Sequence, residues 1–313
     1  MMKKTNLLYA IFLLAFGISY AQQDPQFTQY MYNMSVVNPG YATDDLGVIN
    51  FGGIYRTQWV GAVGAPTTAS VFIHAPLTEN LETGLNIVKD ELGENVLNET
   101  TVSADLAYIV NLNNSSKLSL GFKAGVNFFD TNFNGFQLND DETSSDPAFQ
   151  NMNETFFNLG AGAFYFTDKY YLGLSVPNFL PNKHLKEASG VNAIGIDELH
   201  FILTGGYVFN LSDNVKFKPA FMAKMVSNSP LSADLTANFL FNEKFEIGVA
   251  HRFDDSFSGL VNYRINEKLR IGYAYDHTIN NLGQFNSGSH EIIVIFDLDT
   301  FGIRGYDKSP RFF

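Results

Sequence analysis

The sequence contains no cysteine. That removes disulfides, thiolate nucleophiles and cysteine-held metals together. Basic residues are scarce as well: 20 Lys and Arg stand against 32 Asp and Glu, a formal charge of −12. With no basic stripe to neutralise phosphates, the chain argues against a nucleic-acid partner. Patches of Ala, Leu, Glu and Lys that would favour helices are few. Beyond residue 21 no apolar run approaches the roughly 20 residues that a spanning helix needs. What the chain has in quantity is aromatic side chains, 15% of all residues.

One short apolar run opens the sequence, "MMKKTNLLYAIFLLAFGISYA". Lys3 and Lys4 form a positive start, Leu7 to Ile18 an apolar core, and Ser19-Tyr20-Ala21 a small-x-small cleavage pattern. Residues 1–21 therefore read as a secretory signal peptide, and with no Cys after it a lipid anchor is not expected. Loss of Lys3 and Lys4 takes the formal charge to about −14.

From residue 48 onward the period is two. In "KLSLGFKAGVNFF", Leu118, Leu120, Phe122, Ala124, Val126 and Phe128 share one face. Lys117, Ser119, Gly121, Lys123, Gly125 and Asn127 share the other. Only a strand sorts residues this way. "KLRIGYAYDH", "KFEIGVAHR" and "SHEIIVIFD" repeat the pattern, and about fourteen such segments can be counted. Connections alternate: short ones such as "TD", "LSD" and "NE", then long ones near 131–155, 177–197 and 278–287. Outer-membrane barrels show this asymmetry, with short periplasmic turns and longer external loops.

A soluble sandwich also alternates, but its outer face is charged. Here the non-apolar face is rich in Gly, Ala, Ser and Asn, and the apolar face carries Tyr170, Tyr207, Tyr263 and Tyr273 where an aromatic girdle belongs. In lipid, a closed barrel is the only β-structure without an unpaired edge. The fold expected is an all-β transmembrane antiparallel barrel of about 14 strands over 48–297. A periplasmic segment, 22–47, precedes it and a periplasmic tail, 298–313, follows. Its place is the outer membrane of a Gram-negative bacterium.

Several stretches resemble one family. "QDPQFTQYMYNMSVVNPGYA", then "YRTQW" with Arg56, Gln58 and Trp59, then Ala65-Pro66-Thr67, resemble the first part of the PorP/SprF family of the type IX secretion system. "LRIGYAYDHTINNL", carrying Gly272, Tyr273, Tyr275 and Asp276, resembles its closing strands. So does "GSHEI", carrying Ser289, His290 and Glu291, and the final "SPRFF" is similar too. One departure is Asn38-Pro39-Gly40, where the family often has Asn-Pro-Ala. The resemblance implies an outer-membrane component of type IX export, with roles in adhesin export and gliding motility. Implied partners are a periplasmic peptidoglycan-binding lipoprotein and ring proteins, a large secreted surface adhesin, or both.

Segment 22–42 is too aromatic for a linker and too irregular for a strand. Three roles are open: packing against the barrel base, plugging the lumen, or docking a periplasmic partner. A plug would hydrogen-bond its Gln, Asn and Tyr side chains to a polar inner face, and in docking Phe27, Tyr30, Met31 and Tyr32 would supply the buried anchor. Asn38 and Pro39 belong to a turn, since Pro fixes φ and Gly permits positive φ.

Chemical sites are sparse. Asp140, Asp141, Glu142 and Asp146 form the one dense carboxylate cluster, a weak Ca²⁺ candidate, for which a solvated acidic loop is the simpler reading. The six His show no metal-ligand spacing. His290 and Glu291 are strand neighbours that face opposite ways, a structural hydrogen bond for one and a lumen charge for the other. Arg56 reads as a lumen charge and Trp59 as a belt residue. No nucleophile elbow, phosphate loop or dinucleotide fingerprint occurs, so neither an enzyme nor a cofactor is expected. The competing function is a general channel for small solutes, with Lys117, Lys123, Arg252 and Arg270 lining its lumen.

Overall fold

The computed structural model describes residues 25–134, 151–180, 199–226 and 229–299. Fifteen strand segments occur among them. The first seven are β1 (Val48–Thr57), β2 (Thr67–Thr78), β3 (Leu81–Leu92), β4 (Leu97–Asn111), β5 (Ser116–Thr131), β6 (Asn153–Thr167) and β7 (Tyr170–Val176). Then come β8 (His200–Tyr207), β9 (Phe209–Ser212), β10 (Val215–Val226) and β11 (Ser232–Phe241). The last four are β12 (Phe245–Arg252), β13 (Ser256–Arg264), β14 (Leu269–Thr278) and β15 (Ser289–Asp299).

Segments β8 and β9 both pair with β10, so they form one stave interrupted at Val208. That makes fourteen staves, all antiparallel to their neighbours. The last closes on the first, from Val48 opposite Asp299 to Thr57 opposite His290. The ring of staves is thereby closed, as a sheet in hydrocarbon requires. No helix among the described residues is long and apolar enough to cross a membrane.

The alternation read from sequence sorts the two sides of this wall. On β5, Leu120, Phe122 and Phe128 are exposed on the outside, while Ser119, Lys123 and Asn127 are buried inside. On β12, Ile247 and Val249 point out and Glu246 and Ala250 point in. The exposed apolar side chains form the lipid-facing surface of an outer-membrane barrel. Val249 lies mid-strand and is 62% exposed. Val249→Arg should therefore destabilise the barrel by about 2–4 kcal/mol, the usual midplane cost of a cation facing lipid. Urea titration of folding into vesicles would read it, and an unchanged midpoint would deny that this face meets acyl chains.

One rim carries the tight turns at 79–80, 168–169, 213–214 and 242–244 and both ends of the barrel, Val48 and Asp299. The opposite rim carries the loops, including 58–66 and 279–288. By the general rule the turn rim is periplasmic and the loop rim external. An aromatic ladder runs round the turn rim from Tyr165 through Tyr170, Tyr207, Phe209 and Phe217 to Phe239. Its ring centroids lie 4.4 Å apart at Tyr207–Phe209 and 4.7 Å apart at Phe217–Phe239. Such amphipathic rings settle at headgroup depth.

Candidate functional site

The sequence reading set segment 22–47 in the periplasm, with packing against the barrel base as one of three roles. Its described part, from residue 25 on, lies inside the barrel, the position that the lumen-plugging role requires and that packing against the base does not. Every residue from Phe27 to Thr43 is buried except Val36 and Val37, which are half-buried. The segment folds as a 3₁₀ turn (Tyr30–Tyr32), a one-turn helix α1 (Met34–Val37) and a tight turn closed by Tyr41 N–H donating to Asn38 O at 3.0 Å. Pieces this short do not persist alone in water, and neither helical turn has a side-chain cap. The lumen wall supplies what local structure lacks.

Carboxylates of the wall grip the backbone at both ends of the segment. Near the loop rim, Thr28 and Gln29 donate their N–H groups to the two oxygens of Glu291, each at 2.8 Å. Arg56 holds that carboxylate in place, its Nη1 lying 3.2 Å from Glu291 Oε2 and 2.7 Å from Asp276 Oδ2. The same nitrogen donates to Thr28 Oγ1 at 2.9 Å, and the Thr28 hydroxyl lies 2.7 Å from Asp276 Oδ2. Near the turn rim, Glu82 accepts the N–H groups of Thr43 and Asp44, and Lys117 Nζ pairs with Asp44 at 2.6 Å. Charge-assisted bonds of this kind are the strong ones.

Between these ends hydrogen bonds run both ways. Lys123 Nζ gives hydrogen bonds to Ser35 O at 2.8 Å and Val36 O at 3.2 Å, carbonyls that a one-turn helix leaves open. Ser175 Oγ donates to Val37 O at 2.6 Å, and Asn38 Nδ2 to Ala163 O at 3.1 Å. The Tyr32 hydroxyl donates to Glu246 and accepts from Asn262 Nδ2 at 3.2 Å, with the Arg270 guanidinium 5.4 Å over its ring.

The turn at Asn38–Tyr41 rests on bare backbone. A Cβ on Gly121 would stand 1.9 Å from Pro39 O, and one on Gly162 would stand 2.0 Å from Asn38 Oδ1. Gly40 is not in the left-handed region expected from sequence. It is needed for closeness, since a Cβ there would meet Gly162 O at 2.8 Å.

The inner face also carries more large apolar side chains than a face rich in Gly, Ala, Ser and Asn suggests. Ile54, Phe72, Phe164, Tyr171, Ile202, Met222, Ile293 and Ile295 point inward and pack with Phe27, Tyr30, Met31, Tyr32, Met34 and Tyr41 of the segment. A signal existed. "EIIVIF" is apolar on both faces, which a wall facing water inside would not tolerate.

Of the other predicted residues, Arg56, Gly272, Asp276, Ser289 and Glu291 lie on the inner face, with Arg56, Asp276 and Glu291 in one cluster. His290 lies on the outer face with Tyr273, whose hydroxyl is 2.6 Å from its Nδ1, and Tyr275 donates to Ser287 O at 2.9 Å. Gln58 and Trp59 follow the end of β1 at the loop rim, where Trp59 N–H meets Ser289 Oγ at 3.1 Å. Lys117, Lys123 and Arg252 face inward but are engaged, Arg252 with Asp234 at 2.8 Å. Arg270 lies over Tyr32. The signal peptide and Asp140, Asp141, Glu142 and Asp146 lie outside the described residues.

Space remains at the loop-rim side, a cavity of about 180 Å³ bordered by Phe27, Val36, Val37, Val88 and Ile202. No group of three or more His, Cys, Asp or Glu able to hold a metal ion occurs among the described residues.

Among solved structures, the Pseudomonas putida toluene transporter TodX aligns with 85% of this chain and 94% of its own, at 8% identity and a TM-score of 0.48. A Pseudomonas aeruginosa FadL homologue aligns with 81% of this chain and 89% of its own, at 11% identity and a TM-score of 0.43. Likenesses at this level say nothing about what this chain carries. None of the curated proteins matches in sequence. Residues 19–296 match the family described as "Type IX secretion system membrane protein PorP/SprF", and the chain belongs to that family.

Proposed function

We propose that this barrel supports export or surface attachment of type IX adhesins and effectors by binding other proteins, and that it performs no chemistry. Its partners would be a periplasmic peptidoglycan-binding lipoprotein and ring proteins on the turn rim, an exported adhesin on the loop rim, or both. The observation that carries this reading is the occupied lumen in a member of a secretion family. Inward charges that would line a solute channel, such as Arg56, Lys123 and Glu82, hold the amino-terminal segment instead. What the barrel can offer a partner is then its two rims.

The test is removal of the gene from its host, followed by antibody staining for type IX cargo on the cell surface. Cargo should leave the surface and return with the wild-type copy. Undiminished display in the deletion strain would remove the proposal. The channel alternative predicts a steady open conductance from the purified wild-type barrel in a planar bilayer, whereas the secretion reading predicts a closed one.

A further inference from the structure

The direction in which the segment runs through the lumen has a topological consequence. Thr28 binds Arg56, which is one residue from the outer end of β1, and Asp276, which is two from the outer end of β14. Thr43 and Asp44 bind Glu82 and Lys117, each the second residue of a strand leaving a turn at the inner rim. The remaining cavity, which Pro25, Gln26 and Phe27 border, is shared with Asp90, Glu99 and Pro177 at the loop rim. Pro25 therefore lies at the outer mouth and Asp44 at the inner one.

We infer that the mature amino terminus is exposed on the cell surface rather than in the periplasm. After cleavage at Ala21, three residues precede Pro25, and they reach about 10 Å at most. That is too short to turn back through the length of the barrel.

The absence of native cysteine makes this directly readable. Gln22→Cys, with Gln23→Cys as a second reporter, is expressed in the full chain and treated on intact cells with a membrane-impermeant maleimide. Leu46→Cys, exposed between the segment and β1, is the inner-rim control. The inference expects both Gln reporters to label on intact cells and Leu46→Cys only after the outer membrane is permeabilised. Labelling of the Gln reporters only after permeabilisation would overturn it. So would labelling only after denaturation, which would mean an enclosed terminus. The reading does not depend on secretion: export could fail to need this protein and the terminus still be outside.

Discussion

Replacing Arg56 with alanine should release the amino-terminal segment and convert a closed barrel into a conducting one. Arg56 is the cation that joins Asp276, Glu291 and Thr28, and all four are buried. Removing one partner from a buried ion cluster leaves uncompensated charge and costs about 3–5 kcal/mol. Here two carboxylates would be left facing each other beneath Thr28 and Gln29. The strain has an outlet, since water entering the outer mouth solvates them once the segment lifts. A cost of about 4 kcal/mol is on the order of a thousandfold in the ratio of unseated to seated barrels. Single-channel recording would show frequent openings in the variant and rare ones in the wild type. Arg56→Lys keeps a cation in place and should open less. A variant that stays as closed as the wild type would mean that this cluster does not hold the segment.

Gly121→Val is expected to act as strongly by a different route. Its Cβ would stand 1.9 Å from Pro39 O and 2.4 Å from Gly40 N, which are backbone atoms. No side-chain rotation relieves such an overlap, and the segment is fixed on both flanks by Lys123 and Glu82. The segment must leave the wall, or the wall must buckle between β4 and β6. Channel openings, together with protease cleavage inside residues 25–44, should rise sharply. Gly259→Ala is the control, because nothing lies within 4 Å of a Cβ there. If Gly121→Val seats its segment as well as Gly259→Ala does, the close approach has no energetic weight.

The barrel was legible because its signal is local. Period two in "KLSLGFKAGVNFF" needs no knowledge of the rest of the chain, and lipid outside forces all staves into the same alternation. Turn lengths ordered the rims for the same reason. The place of the amino-terminal segment was not legible, because it is decided by contacts across the whole sequence. Thr28 and Glu291 meet over 263 residues. Nothing near Phe27 or Tyr30 tells a lumen from a partner's groove, since both are apolar pockets with polar edges. Gly121 and Gly162 looked like ordinary small residues of a polar face. Only the threaded chain shows that they clear space for Pro39 and Asn38. The two-sided apolar character of β15 was the one local clue that the lumen is packed.

The most direct test is a cross-link between the segment and the wall. Asn33 Nδ2 lies 3.3 Å from Ser70 Oγ on β2, and the chain has no other thiol to confuse the result. Asn33→Cys with Ser70→Cys, folded in outer membranes and treated with a short homobifunctional thiol reagent, should give an internally bridged barrel. After a protease cut engineered between residues 44 and 48, the bridged segment should stay attached in denaturant. A segment that never bridges while the barrel is folded would contradict the filled lumen.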